Sequence, residues 1–391
     1  MKLTALLAPI GLLTPVALLS ACQTADRDID STAIGEDDAD ADADADADWV
    51  RVDEMGNVME RSVDVAVAPD GTAFVSWVDS RDIVWVRRSD DGGATWGEAA
   101  EVNTDGSTAG VTMARRPYVA TDGNRVAVTF VDLNAGVVEV YESKADSLAF
   151  GSTVTLGGEA TFNDFAKALF VEGELIVVWQ TYTPDGAMVL ARESTAWDEE
   201  AADDGVPGLP CECCPLDALA ASSGDLLIAF RNNNSNTREH WVSMLPSGDS
   251  AEISDTEGTL WECPMEGPRL GEADGAVLAV WADASMSAAT WMATSVDSGR
   301  TWSGERDIFG ENGTSSPSIA TAAGGIVTVT TEVGGRAMMV GSVDGGATFS
   351  TPVDLSCPSG NIGYPQLDGD GGIIVAGGSA GDGTAWVSRV Q

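Results

Sequence analysis

An eight-residue segment recurs along this chain at a fixed interval. Ser89-Asp90-Asp91-Gly92-Gly93-Ala94-Thr95-Trp96, Ser295-Val296-Asp297-Ser298-Gly299-Arg300-Thr301-Trp302 and Ser342-Val343-Asp344-Gly345-Gly346-Ala347-Thr348-Phe349 share the pattern Ser-x-Asp-x-Gly-x-Thr-aromatic. Ser295 and Ser342 lie 47 residues apart, and Ser89 and Ser295 lie 206 apart, close to four steps of about 51. Self-similarity at such a period marks an array of equivalent units, each of which buries its apolar face only against a neighbour. Each unit also repeats a strand pattern. A first strand reads Pro117-Tyr118-Val119-Ala120, Pro317-Ser318-Ile319-Ala320 or Pro365-Gln366-Leu367. A second strand ends on an aromatic, as in Phe74-Val75-Ser76-Trp77, Val128-Thr129-Phe130, Val177-Val178-Trp179, Ile228-Ala229-Phe230 and Ala279-Val280-Trp281. A third strand leads into the repeated segment. Short alternating runs bounded by turn residues predict an all-β chain, and four-stranded units at this period predict propeller blades.

First strands fall near Val65, Pro117, Ala168, Leu219, Pro268, Pro317 and Pro365, so seven blades are expected. The last unit has three strands before Gln391, and Trp49-Val50-Arg51-Val52 is expected to supply its outer strand. That closure would hide both sheet edges. The repeated segment resembles the Asp-box, or bacterial neuraminidase repeat, of the sialidase-like superfamily. Weaker relics occur at Ser143 to Phe150 and at Ser194 to Trp197. Sialidases have six blades, which makes six the alternative count. The resemblance places the Asp-box on the turn between third and fourth strands, opposite the family's active site. Asp91, Asp297 and Asp344 are therefore read as turn builders: the carboxylate accepts turn amides and glycine takes the left-handed position.

The ends and the charge set the address. Met1-Lys2 followed by an apolar run from Leu3 to Leu19, broken by Pro9, Gly11 and Pro15, reads as a signal peptide, not a span. Leu19-Ser20-Ala21-Cys22 resembles a lipobox, so residues 1–21 are expected to be removed and Cys22 lipidated. Gln23 in place of Asp implies an outer-membrane destination in a Gram-negative host, facing the periplasm or the outside. Residues 22–48, with Asp-Ala alternation through Asp48, are expected to form an extended acidic tether. The propeller is then 49–391. Net charge is −42 with three lysines, Lys2, Lys144 and Lys167. Such a chain repels phosphates, which excludes nucleic acid as a partner. A monomer tethered to a membrane by its lipid is expected.

The other face of the ring carries the inter-blade and second-to-third-strand loops. The five remaining cysteines all fall on inter-blade segments: Cys211-Glu212-Cys213-Cys214-Pro215, Cys263-Pro264-Met265-Glu266-Gly267-Pro268 and Cys357-Pro358. Outside the cytoplasm, disulfides are the expected reading, with Cys211, Cys213 or Cys214 joined to Cys263, and an odd count leaves one thiol over. The alternatives are a redox-active thiol, or a soft-metal site for Cu or Zn built from Cys211, Cys213, Cys214, Cys263 and the Met265 thioether. Next to this segment, Arg231-Asn232-Asn233-Asn234-Ser235-Asn236-Thr237-Arg238 offers two guanidinium forks around amides. Arg231, Asn232, Asn233, Asn236 and Arg238 are thus candidate readers of a carboxylate or sugar hydroxyls. The competing reading is a polar turn with Asn in left-handed positions.

The sialidase resemblance implies, position by position, a partial exo-glycosidase site. Arg115, Arg231 and Arg269 would form the carboxylate clamp, Asp132 the acid and Tyr364 the nucleophile, with Arg115-Arg116-Pro117 standing for an Arg-x-Pro element. No glutamate can be assigned from sequence to activate Tyr364. Fold resemblance alone does not carry the chemistry. The leading expectation is a surface-anchored module that binds glycan or protein on its Cys-rich face. Sialidase-type hydrolysis and a thiolate metal or redox propeller are the alternatives.

Overall fold

A computed structural model of the chain describes residues 49–390, apart from residues 113–114, 158–161, 184–185, 194–198, 202–205, 207, 255–264, 283–288 and 311–313. It is a seven-bladed β-propeller of antiparallel four-stranded blades, as the repeats predict. Blade 1 comprises Asp64–Val67, Ala73–Val78, Val84–Ser89 and Ala100–Glu101, and blade 2 comprises Tyr118–Thr121, Arg125–Asp132, Val137–Lys144 and Gly151–Leu156. Blade 3 runs through Phe162–Val171, Glu174–Thr183, Gly186–Glu193 and Glu199–Ala201. Blade 4 is Asp217–Ala220, Leu226–Asn233, His240–Leu245 and Asp249–Glu252, with the short strand Leu209–Pro210 added against Asn232 and Asn233. Blade 5 is Arg269–Ala273, Ala276–Ala282, Thr290–Ser295 and Ser303–Asp307, and blade 6 is Thr314–Ala322, Ile326–Val333, Arg336–Ser342 and Val353–Asp354. Blade 7 is Gly360–Asp370, Ile373–Ala380 and Thr384–Arg389, and its outer strand is Val50–Arg51, paired antiparallel with Trp386 and Val387. The ring is closed by the strand expected from the sequence, which gives blade 7 its outer strand.

The core lies in the seams between blades. The aromatic ending each second strand is the wedge: Trp77, Phe130, Trp179, Phe230 and Trp281 are all buried. Trp281 packs in the seam between blades 4 and 5 with Leu227, Val242, Met244 and Leu270. Phe130 stacks on Tyr141 at 5.5 Å between blades 1 and 2. Inner strands of adjacent blades are latched by side chains. Asp64 accepts from the Val119 amide at 2.9 Å, Asp217 from Leu270 at 2.8 Å, Ser318 from Leu367 at 3.0 Å, and Asp368 from Val67 at 2.7 Å.

The three Ser-Asp-Gly-Thr segments adopt one turn, each between a third and a fourth strand. Asp297 Oδ1 accepts from the Ser295 hydroxyl and the Thr301 amide, both at 2.8 Å, and Oδ2 accepts from the Thr301 hydroxyl at 2.6 Å. The Trp302 indole donates to the Gly299 carbonyl. Asp91 and Asp344 repeat the arrangement. The relic at Ser143 to Phe150 turns at the same place but has Ala145 where the others have the aspartate, and Ser194 to Trp197 lies outside the described residues. The signal peptide, Cys22 and the acidic tether also lie outside them. Among the described residues no helix is long and apolar enough to cross a membrane.

Candidate functional site

The face opposite these turns is shaped by a repeated backbone feature. Within the first strand of three blades, and shortly before that of two others, a residue other than glycine takes a left-handed conformation: Phe165 at φ +51°, Ser316 at +50° and Tyr364 at +51° within, Arg61 at +68° and Met265 at +55° before. Three of these coincide with register shifts, between Asp164 and Lys167, Ser315 and Ser318, and Gly363 and Gln366. A bulge breaks the in-out alternation and re-aims a side chain. Left-handed backbone in an L-residue costs about 1–2 kcal/mol, so its recurrence on one face points to use.

Arg231 is the most deeply placed charge on this face. It occupies the second strand of blade 4 and is 1% exposed. Its Nε and Nη2 donate to His240 Nε2 at 3.1 and 2.9 Å, and Nη2 also reaches the Ala282 carbonyl at 3.1 Å. Burial, then the neighbouring guanidinium, holds His240 well below the usual histidine range, so it stays neutral and does not offset the charge. Nη1 of Arg231 has no hydrogen-bond partner among the described residues. Among the described residues, Arg269, at the start of blade 5, donates only to the carbonyls of Leu216 and Pro268. Arg61 lies 3.8 Å over the Tyr364 ring with its Nη1 unpartnered among the described residues, and Nε of Arg116 is likewise unpartnered.

Two carboxylates tie these groups together. Glu266 accepts from the Ser316 amide at 3.0 Å and its hydroxyl at 3.3 Å. Burial pushes Glu266 up, against that amide bond and the opposing charges of Arg269 and Arg231. Glu332, at the end of the second strand of blade 6, accepts from the Tyr364 amide at 3.3 Å and is also pushed up by burial. The Tyr364 phenol is raised by burial first, then by Glu332, with Arg61 opposing and Glu60 and Glu266 adding to the rise. Arg231, Arg269, Glu266, Glu332, Tyr364 and Arg61 therefore form one electrostatic neighbourhood across blades 4 to 7 and blade 1. Of the expected site, the structure brings together Arg231 and Arg269 of the clamp and Tyr364, the expected nucleophile. Arg61, Glu266 and Glu332 were not assigned from sequence. Glu266 lies in the Cys263–Pro268 segment, where no local pattern marks its contact with Ser316 of the next blade.

The remaining candidates do other work. Arg115 forms a bidentate ion pair with buried Asp164 of blade 3. Asp132 ends the second strand of blade 2 and accepts from the Thr108 hydroxyl at 3.1 Å and the amides of Asn134 and Ala135 at 2.8 and 3.2 Å. The second strand of blade 4 extends through Asn233, so the polar turn is shorter than the sequence suggested. Asn232 Oδ1 accepts from the Glu239 amide and Asn233 Oδ1 from the Asn236 amide, both at 3.0 Å, with Asn236 itself left-handed at φ +71°.

Arg238 turns to the cysteines, its Nη1 donating to Cys211 Sγ at 2.8 Å. The sulfurs of Cys211, Cys213 and Cys214 lie within 4.8 Å of one another, and all three residues are buried. Cys213 is disulfide-bonded, whereas Cys211, Cys214 and Cys357 are free thiols. Cys357 sits in a two-residue strand, Ser356–Cys357, instead of a loop. Cys263 lies outside the described residues, and Met265 is buried. With Cys213 in a disulfide, two thiols remain in the cluster, short of the four donors of a structural zinc site.

No family model matches the chain, and no curated protein matches it. Solved structures do. A protein called AofleA from Arthrobotrys oligospora superposes with a TM-score of 0.51 at 10% identity, over 80% of this chain and 90% of that one. A polysaccharide lyase described as a PL25 ulvan lyase gives 0.51 at 10% identity, over 85% and 95%. A Hadza microbial sialidase, Hz136, gives 0.46 at 12% identity, over 84% of this chain and 65% of that one. At these identities the first two likenesses show the β-propeller fold and nothing finer.

Proposed function

We propose that this chain is a binding module for an acidic saccharide, held by its carboxylate at the Arg231, Arg269 and Arg61 neighbourhood beside the Cys211–Cys214 segment. One observation carries the reading. In a chain of net charge −42, this face keeps Arg231 and Arg269 buried without an ion pair among the described residues, and Nη1 of Arg231 and of half-buried Arg61 has no hydrogen-bond partner there. A buried charge left without its hydrogen bonds is costly. The guanidinium fork matches a carboxylate, and five left-handed residues in or just before first strands shape the surrounding face. Lipidation at Cys22 and the acidic tether would hold the ring at an outer-membrane surface, as a monomer presenting this face to glycans.

Calorimetric titration with uronate- and sialate-terminated oligosaccharides, against their neutral methyl esters, tests the proposal. Binding of the acids with loss of binding on esterification supports it. Equal binding of both, or of neither, overturns it.

A second reading, hydrolysis of the sialidase type, is favoured by one local feature. Arg61 lies over the Tyr364 ring, Glu332 accepts from the Tyr364 amide, and the charges of Glu332 and Glu266 act on its phenol. Both carboxylates are pushed up by burial, which makes them better proton acceptors for a phenol nucleophile. Turnover of a fluorogenic sialoside that disappears in Tyr364→Phe establishes it. Folded protein without turnover between pH 4 and 8 removes it.

A further inference from the structure

We propose that His240 is the positioning residue that makes Arg231 selective for anions: it holds the guanidinium through a ring lone pair instead of a carboxylate, and so leaves that charge for a ligand. The inference rests on the acidic-saccharide reading for the site it serves. Arg231 and His240 stand directly opposite each other on the second and third strands of blade 4, and residues so opposed carry their side chains on one face. Nε and Nη2 of Arg231 converge on one ring nitrogen, His240 Nε2, at 3.1 and 2.9 Å. A nitrogen that accepts two N–H groups carries a lone pair and no proton, which assigns the ring proton to Nδ1. Nδ1 faces the Ser254 hydroxyl at 3.4 Å, and that hydroxyl accepts from the His240 amide at 3.1 Å. The Trp281 ring lies 5.3 Å away, and His240 is 3% exposed. An imidazolium here would point an N–H at two guanidinium N–H groups. Among the described residues Arg231 is the charged group acting on the ring, and Ser254 and Trp281 carry no charge. Burial and the Arg231 charge both act against protonation, in agreement with the geometry.

Arg115 supplies the contrast within the same ring. It presents the same edge, Nε and Nη2, to the two carboxylate oxygens of Asp164. That pair is closed: the guanidinium is fixed and its charge is neutralised by the group that fixes it. Arg231 is fixed just as firmly, by His240 and by the Ala282 carbonyl at 3.1 Å, yet neither partner is an anion. The chain has 62 acidic residues and one histidine, and the histidine stands where the choice of partner decides the charge of the site. Fixing the side chain before the ligand arrives removes part of the ordering cost of binding. Keeping it cationic in a buried place makes an anion the group that completes it, with Nη1 as the donor still without a partner among the described residues. A neutral hydroxyl can accept that N–H but cannot balance the charge. His240 therefore sets the preference of this site for acid over ester, not only the rotamer of Arg231.

The test uses the full chain with trifluoroacetate, a carboxylate whose binding is read from fluorine NMR line widths, beside the acidic oligosaccharides. Trifluoroacetate should bind wild type. His240→Phe, which removes the acceptor, and His240→Glu, which closes Arg231 into an ion pair, should each bind it at least about 10-fold more weakly when shown folded by near-ultraviolet dichroism. His240→Gln, which offers an uncharged oxygen, should recover binding to within about 3-fold of wild type. Should His240→Glu fail to fold, the Phe and Gln variants decide. Stability gives a readout that needs no ligand. In the unfolded chain the imidazole takes a proton near 6.5, and in the folded chain it does not. Between pH 7.5 and pH 5 the folded-to-unfolded ratio of wild type should therefore fall about 30-fold relative to His240→Gln, read from urea midpoints and slopes. Wild-type affinity in folded His240→Glu, equal losses in Gln and Phe, parallel pH profiles of wild type and Gln, or no binding of trifluoroacetate to wild type overturns the proposal. Trifluoroacetate bound in the expected pattern, with no acidic oligosaccharide bound, upholds it and removes the saccharide reading instead.

Discussion

Asp368 latches blade 7 to blade 1, and its charge should make closure of the ring depend on pH. Its Oδ2 accepts from the Val67 amide at 2.7 Å. Burial raises the carboxyl from 3.8 to about 7, against that amide and Lys167, with the Asp64 charge adding to the rise. A carboxyl raised on folding stabilises most below its unfolded value. Near pH 4 the folded state keeps the proton that the unfolded chain is only beginning to lose. As pH climbs to 7 and beyond, the unfolded chain releases the proton freely, and the stability contribution is lost. A gap of about three units at about 1.4 kcal/mol each gives about 4 kcal/mol, an upper value that relaxation around the charged form would reduce toward about 2. Asp368→Asn keeps an oxygen for the Val67 amide and does not titrate. The difference in stability between Asn and wild type should therefore move in favour of Asn by about 2–4 kcal/mol between pH 4 and pH 8. Urea midpoints and slopes at both pH values measure it, and the other carboxylates, common to both proteins, largely cancel. A difference that stays constant over that range, or an Asn variant that loses ground at pH 8, refutes the reasoning.

Three further outcomes follow from the packing. Arg115→Ala leaves Asp164 buried without its guanidinium and should cost about 3–5 kcal/mol in urea unfolding; a loss below about 1 kcal/mol would show that water replaces the pair. Trp281→Ala opens the seam between blades 4 and 5 and should cost about 3–5 kcal/mol, while a near-neutral result would mean that the seam collapses to refill it. Asp297→Ala removes the acceptor for the Thr301 amide, its hydroxyl and the Ser295 hydroxyl. It should lower the thermal midpoint and leave acidic-saccharide affinity unchanged, because that turn faces away from Arg231; a parallel loss of affinity would contradict the assignment of faces.

The architecture was legible because it is written in repetition. Seven first strands, an aromatic at the end of the second strand and a spare strand near Val50 each recur or fit a count, and each is found in the ring. The site was legible only in part. Arg231, Arg269 and Tyr364 stand out in sequence because they flank strand ends or a Pro-bounded strand start. Arg61, Glu266 and Glu332 do not, because their meaning comes from meeting across blades, which no local pattern encodes. The same blindness applies to Arg115. Its motif suggested a substrate clamp, yet its partner Asp164 stands on the next blade and fills the guanidinium. The Asn232–Asn236 turn showed the reverse. Both readings of it were open in sequence, and the side chains of Asn232 and Asn233 proved to serve the turn itself.

The central claim is that unpaired guanidinium groups on one face hold a ligand carboxylate. The most direct measurement is the affinity of Arg231→Met and Arg61→Met, each shown to be folded, for an acidic oligosaccharide that binds wild type. Loss of one charge-assisted contact of about 2 kcal/mol predicts a dissociation constant raised about 30-fold in each. Wild-type affinity in both folded variants would contradict the account.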